Sequence, residues 1–207
     1  MKKILVTGSI GVGKSTVCRY FQELGISVYY SDIQAKKIMD RNSIVIIKLK
    51  DLFGEEIYKD GVLDRKAVAD IVFNDKEKLE QLNAIAHPAV SEHFKIWCKS
   101  EEIFNDSPYV IEEAAIAIDL GIQGKFDYII VVTADEEVRI NRTMNRDNCT
   151  REKVLSIINS QTSEEEKLKH ADYVIVNNDS ENLDSIEDQV KLIHQQILER
   201  IKNKSFL

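Results

Sequence analysis

Apolar residues recur along this chain with two periods, and the switches between them outline its elements. Ile4-Leu5-Val6 is short and unbroken, as a strand covered on both faces reads. Residues 17–24 follow with helical spacing and stop at Gly25. Residues 27–30 predict a second strand, and 35–39 a helix after Ser31-Asp32. Ile44, Ile47, Leu49 and Leu52 share a helical face over 43–53, closed by Gly54. Tyr58-Lys59-Asp60-Gly61 predicts a turn, and Leu63-Asp64-Arg65 opens a helix with Asp64 as its N-cap. Val68, Ile71, Val72, Leu79, Leu82, Ile85 and Ala86 carry the helical pattern to His87-Pro88, and a further helical stretch runs to about residue 99.

Residues 101–107 are polar and predict a loop. Tyr109-Val110-Ile111 reads as a third strand, 126–132 as a fourth and 173–176 as a fifth. Thr133 to Glu136 and Ser163 to Glu166 both fit a capping box that starts a helix. Over 182–204 a single amphipathic helix is expected, with Leu183, Ile186, Val190, Ile193, Ile197 and Ile201 turned inward. Strands separated by helices predict an α/β fold, three layers deep, around a five-stranded parallel sheet. A crossover needs one helix, and 41–100 supplies several. That stretch is expected to be a helical insert for a second substrate, with 1–40 and 101–207 as the core; packing bulk is the plain alternative.

Composition narrows the function classes. The 207 residues are 43% hydrophobic and 30% charged, enough for a core and a polar surface. A net charge of −7 argues against a broad nucleic-acid face, which needs basic residues. No apolar run is long enough to span a membrane, and Thr7, Gly8 and Lys14 interrupt any signal-peptide core. Cys18, Cys98 and Cys149 are widely spaced and match no zinc pattern, which suggests a reducing compartment. The expectation is a cytoplasmic protein, a monomer or weak homo-oligomer, with small-molecule partners and neither nucleic acid nor membrane.

The strongest chemistry lies in Thr7-Gly8-Ser9-Ile10-Gly11-Val12-Gly13-Lys14-Ser15-Thr16, which fits G-x-x-x-x-G-K-[ST] between a strand and a helix. A polyphosphate needs several N–H donors aimed at one small volume. Glycine lets the backbone turn tightly and approach closely. The helix that starts near Gly13 adds its free N–H groups and the positive end of its dipole. Gly11, Val12, Gly13, Lys14, Ser15 and Thr16 are therefore the candidate nucleotide cradle. Lys14 is the cation for the β- and γ-phosphates, and Ser15 the hydroxyl ligand for Mg2+.

Other candidates sit at strand ends, where ligands of open parallel sheets gather. Asp32 follows the second strand; it reads either as a helix cap or as a carboxylate that takes the proton of an attacking hydroxyl. Glu112-Glu113 ends the third strand and reads as an aid to the Mg2+ site or as a solvated strand end. Arg142 and Arg146 share a helix face and suit charge neutralisation of a transferring phosphoryl group; Arg139 reads as solvated and paired with nearby acids. The loop Asn177-Asn178-Asp179-Ser180 is a candidate contact for a nucleotide base.

These landmarks occur in a fixed order: the glycine loop, Asp32, Leu63-Asp64-Arg65, His87-Pro88, Phe126-Asp127-Tyr128, Arg142 with Arg146-Asp147, Gln161, and Ala171-Asp172-Tyr173-Val174-Ile175 ending at Asn177. Over nearly its whole length the chain resembles the dephospho-CoA kinase family. The resemblance implies a P-loop kinase core, a helical domain for the CoA substrate and a lid, here about 139–165. It implies transfer of the ATP γ-phosphoryl group to the ribose 3′-hydroxyl of dephospho-CoA, with Mg2+. It gives Asp32 the role of base and Lys14 and Arg142 catalytic roles. It sets Arg65, His87 and Glu113 on the acceptor side, Arg146 in the lid and Asn177 near adenine. The chain departs from the family at Ala115-Ile116-Ala117-Ile118-Asp119 and at Ile157. Another small-molecule kinase on the same core, or a nucleotide-binding switch, would share the loop; no Asn-Lys-x-Asp motif for guanine occurs.

Overall fold

A computed structural model describes residues 1–178 and 185–204. Five strands form one parallel sheet: β1 (Lys2–Thr7), β2 (Ser27–Tyr30), β5 (Tyr109–Glu113), β6 (Tyr128–Thr133) and β7 (Tyr173–Val176). Their order is β2-β5-β1-β6-β7, so β1 is central. Parallel register sets Val6 beside Glu113 and Thr7 beside Val131. Ile4, Leu5, Val6, Ile111, Ile130 and Val131 are fully buried, as runs covered on both faces require. The chain leaves the central strand at Thr7 and enters α1 (Lys14–Glu23) through the glycine loop.

Two compact units divide the chain, Met1–Tyr29 with Phe104–Leu207, and Tyr30–Ile103. In the first, α6 (Glu136–Asp147), α7 (Arg151–Ser160) and the short α8 (Glu164–Leu168) follow β6. The last helix is α9 (Ile186–Lys204), which packs on α1. Val190, Ile193 and Ile197 on α9 are buried, as the amphipathic pattern requires. Of that predicted helix, Asn182 and Leu183 lie outside the described residues, as do Asp179 and Ser180 of the loop after β7.

The second unit has its own core of Ile38, Val45, Leu49, Phe53, Ile57, Leu63 and Val68. It contains α2 (Ser31–Arg41), α3 (Ser43–Phe53), a hairpin of β3 (Tyr58–Lys59) and β4 (Val62–Leu63), and α4 (Arg65–Asn74). α5 (Lys76–Phe104) runs on from there. The unit begins at Tyr30, before the expected insert at 41, because α2 is tied into it: the Tyr58 hydroxyl donates to the Met39 carbonyl at 2.7 Å, and Arg65 pairs with Asp40 at 2.7 Å.

Three local expectations are corrected, and one helix was not anticipated. The long helical pattern breaks at Asp75, whose carboxylate accepts from the Lys78 N–H, and continues through Pro88. An acidic cap thus outweighs a proline that the helix accommodates. Helix α5 extends to Phe104, because the polar Glu101-Glu102 are also good helix formers. Thr133 caps nothing: Asp135 occupies the N-cap of α6 without a side-chain bond, and the Thr133 hydroxyl donates to Glu164 instead. Helix α7, capped by Thr150, stands in a stretch whose charges obscure its period.

Candidate active site

The glycine loop is held from three sides, and its glycines are where the holding is tightest. Gly11 has φ +81°, and a Cβ there would lie 2.5 Å from the Arg139 carbonyl and 2.7 Å from Thr143 Oγ1. Gly13 has φ +86°, and its Cβ would lie 2.2 Å from Asn177 Nδ2. Both positions thus need a left-handed backbone and an empty side-chain volume, which only glycine supplies. The first turn of α1 begins here, with the N–H groups of Thr16 and Val17 turned back onto the Gly13 carbonyl. Val12 is buried and Ser15 exposed at the start of the helix.

Asn177 is the post on which the loop rests. Its Nδ2 donates to the Val12 carbonyl at 2.7 Å, and its backbone N–H donates to the Thr133 carbonyl at 2.8 Å. Arg142 donates from Nη1 to the Asn177 carbonyl at 2.9 Å and from Nη2 to Asn177 Oδ1 at 3.3 Å. A chain of bonds therefore runs from α6 through Asn177 to the loop. Arg146, four residues on, is exposed and pairs with its neighbour Asp147 at 2.7 Å. The two arginines thus have different partners.

Arg139 is buried, not solvated. It faces Glu164 at 3.5 Å and Glu136 at 3.8 Å, and its Nε has no hydrogen-bond partner among the described residues. Its helix packs against the loop, as the Gly11 contacts show, which removes it from water.

Lys14 folds over the first half of the loop, with Nζ donating to the Gly8 carbonyl at 3.0 Å and the Ser9 carbonyl at 3.2 Å. The same half is reached by residues 161–167. Gln161 Oε1 accepts from the Ile10 N–H at 3.0 Å, and the Thr162 N–H donates to Asp119 Oδ1 at 2.7 Å. Lys167 Nζ donates to Ser9 Oγ at 3.2 Å. Burial pulls the Lys167 ammonium below the ordinary lysine range; Lys14 and Arg139 push the same way, and Asp119 and Glu164 oppose them.

Sequence reasoning missed Lys167. One signal was available: Ser163 accepts from the Glu166 N–H and caps α8, so Lys167 occupies the fourth helical position. In a capped helix that position turns inward against the residue before the cap.

Around Glu113 the site is acidic. Its carboxylate and burial together raise the Cys18 thiol well above the ordinary cysteine range, with burial the larger cause. Cys18 behind the loop is thus a packed thiol and not a nucleophile. Ala117 of the departing stretch packs with Ala114 against Leu5, Ile129 and Val131, and Asp119 at its end holds Thr162. Ile157 is half-buried on α7.

In the second unit Asp32 lies in the first turn of α2, whose N-cap is Tyr30 without a side-chain bond. Its carboxylate is exposed and makes no hydrogen bond to a described residue, so the capping role is not taken up. Arg65 donates to the Lys36 carbonyl at 3.0 Å and to Asp40 at 2.7 Å, bracing the helix that carries Asp32. His87 is half-buried on α5, and burial lowers its pKa.

The family profile for dephospho-CoA kinase matches residues 3–183. A dephospho-CoA kinase of Listeria monocytogenes is 38% identical, covering 98% of this chain and 99% of that one. One from Fusobacterium nucleatum is 42% identical over 84% of this chain and 88% of the other. Among solved structures, dephospho-CoA kinase from Campylobacter jejuni is 29% identical with a TM-score of 0.70, covering 95% of this chain and 98% of that one.

Proposed function

The chain belongs to the dephospho-CoA kinase family, and from that premise we propose how its residues divide the work. It is a kinase that carries out the ATP-dependent phosphorylation of dephospho-CoA in coenzyme A biosynthesis. Its five-stranded parallel sheet with flanking helices is the P-loop kinase fold.

The N–H groups of residues 11–16 bind the phosphates of ATP, and Lys14 leaves the Gly8 and Ser9 carbonyls to track the β- and γ-phosphates. Among the described residues no group of three or more His, Cys, Asp or Glu side chains could hold a metal. The donor chemistry of Ser15 fits Mg2+ nonetheless, since Mg2+ takes few protein ligands and keeps waters and substrate phosphates. Ser15 would hold it, with Glu113 supporting through water, and it would supply charge neutralisation to the phosphates. Arg142 keeps Asn177 and the loop in place, and Arg146 releases Asp147 to meet the nucleotide.

The unit Tyr30–Ile103 takes the acceptor, with Arg65 and His87 on that side. The ribose 3′-hydroxyl is a poor nucleophile that must lose its proton during transfer. Asp32 accepts that proton and orients the hydroxyl in line with the γ-phosphate. The observation that carries this role is the uncommitted carboxylate: exposed, capping nothing, two residues past the end of β2. α7 and its flanks form the lid that excludes water during transfer. No helix among the described residues is long and apolar enough to cross a membrane, and the cytoplasm is the proposed compartment.

Asp32→Asn tests the assignment, because Asn keeps the shape and cannot act as base. ATP affinity should stay near that of the parent and kcat fall by about 10²–10⁴-fold. A variant with nearly full kcat and unchanged stability would remove Asp32 from the mechanism.

A further inference from the structure

Helix α8 is built inside out. Its five residues are Glu164, Glu165, Glu166, Lys167 and Leu168; it leaves Leu168 38% exposed and buries Lys167 completely. Lysine is almost never fully buried unless it is paired. No carboxylate of a described residue lies within ion-pair distance of this one, and its hydrogen bond goes to the Ser9 hydroxyl. A local reversal of the hydrophobic pattern is expected where function overrides stability.

The place of this cation suggests which function. Ser9 is gripped by two ammonium groups, Lys14 on its carbonyl and Lys167 on its hydroxyl. Ile10 is held by Gln161 from the same segment as Lys167. Two acids oppose its charge from a distance: Asp119, which also holds the Thr162 N–H, and Glu164, which also serves Thr133 and Arg139. Lys14, Lys167 and Arg139 thus surround the first half of a glycine loop, with their local counter-charge shared. A buried cation with no ion-pair partner beside a polyphosphate cradle is stabilised when anionic oxygens arrive.

We propose that Lys167 is a second lysine of the phosphate site, a positioning residue that fixes the first half of the loop through Ser9 and adds its buried charge to that of Lys14 opposite the terminal phosphates of ATP. This rests on the reading of residues 8–16 as the ATP site. No bond is made or broken through Lys167. Its effect is therefore on binding, and it grows with the number of phosphates.

The test is calorimetric titration of the full chain with AMP, ADP and a non-hydrolysable ATP analogue, all with Mg2+. It uses Lys167→Met, Ser9→Ala and Lys14→Ala. Lys167→Met keeps the stem and deletes the charge; removing a buried cation should leave the melting temperature unchanged or higher. AMP affinity should be unchanged, ADP affinity reduced, and analogue affinity reduced by about tenfold, the scale of one modest charge contact. The KM for ATP should rise while that for dephospho-CoA does not. Ser9→Ala should show the same ordering with a smaller loss.

Unchanged analogue affinity in a folded Lys167→Met, or an equal loss for AMP and the analogue, would overturn the proposal. If Lys167→Met does not fold, Ser9→Ala decides by the same criterion. Weakening by Lys14→Ala alone would remove Lys167 and keep the ATP site; no weakening by either lysine variant would remove the ATP site itself.

Discussion

The glycine loop and the segment 161–167 meet at Ser9 and Ile10 and work by opposite means. The loop works with backbone: consecutive amides, left-handed glycines and a lysine folded over neighbouring carbonyls. The segment works with side chains brought from far along the chain, Gln161 to the Ile10 N–H and Lys167 to the Ser9 hydroxyl. Backbone donors fix the shape of a site, because their geometry is set by φ and ψ alone. Side chains set its charge and tie it to a neighbouring element. The phosphate site needs both, and substitutions in the two regions should fail differently.

The largest difference is expected from Lys14→Ala. It removes the mobile cation of the loop and should lower kcat/KM by about 10²-fold or more, the cost of one preorganised charge-stabilising group. Circular dichroism should show an intact fold, since Lys14 is only half-buried. Near-normal turnover would break the comparison at its stronger end.

Gly13→Ala acts on backbone shape without touching charge. The new Cβ meets Asn177 Nδ2 at 2.2 Å in a left-handed conformation. Strain of about 1–3 kcal/mol is expected, which read as ATP affinity is roughly ten- to hundredfold. Gly25→Ala has the same left-handed φ and nothing within 4 Å of its Cβ. It should destabilise the chain and leave ATP affinity alone, and equal effects on ATP affinity at both glycines would count against the Asn177 post.

Arg142→Ala and Arg146→Ala separate a structural arginine from a nucleotide arginine. Arg142→Ala leaves Asn177 without two charge-assisted bonds and should lower stability by about 1–3 kcal/mol, before any nucleotide is added. Arg146→Ala removes an exposed pair, whose loss is worth about 0–1 kcal/mol. Thermal melts without ligand should show the first and barely register the second, while the KM for ATP should rise in both. A stability loss in Arg146→Ala as large as in Arg142→Ala would erase the distinction.

The smallest effect is on pH. Tyr109 and His194 share a 2.7 Å hydrogen bond between β5 and α9, and burial lowers the His194 pKa. Because the folded value lies below the unfolded one, the unfolded chain takes up protons first as pH falls. The stability contributed is whole above the unfolded value and is lost as pH falls from there through the folded value. His87 shifts in the same direction. The melting temperature should therefore fall between roughly pH 7 and pH 5, and less steeply in His194→Gln. An identical slope in that variant would remove His194 from the account.

How much of this was legible in the sequence follows the same division. The strands could be read because β1, β5 and β6 are buried on both faces and carry unbroken apolar runs. The loop could be read because its chemistry is written in consecutive residues between a strand and a helix. What could not be read depends on partners distant in sequence. Arg139 looks solvated beside Glu136 until the contacts of Gly11 show α6 packed on the loop. Asn177 looks like a loop residue until Val12 and Arg142 are seen to close on it. Lys167 sits in a run of charges that hydrophobic periodicity assigns to solvent, and only its place four residues after the Ser163 cap points inward. Pro88 shows the reverse: a strong local signal for a break is overridden where a long helix is held by its packing, and the break falls at the better-capped Asp75.

The loop of residues 8–16 is proposed to serve transfer of the γ-phosphoryl group of ATP to the ribose 3′-hydroxyl of dephospho-CoA. The most direct test follows the phosphorus. The purified chain is incubated with ATP, Mg2+ and either dephospho-CoA, AMP or no acceptor, with products resolved by phosphorus NMR. One new 3′-phosphomonoester, matched by ADP, should form with dephospho-CoA and not with AMP or with water. Transfer to AMP at a comparable rate, release of inorganic phosphate in place of the monoester, or no turnover with dephospho-CoA would contradict the account.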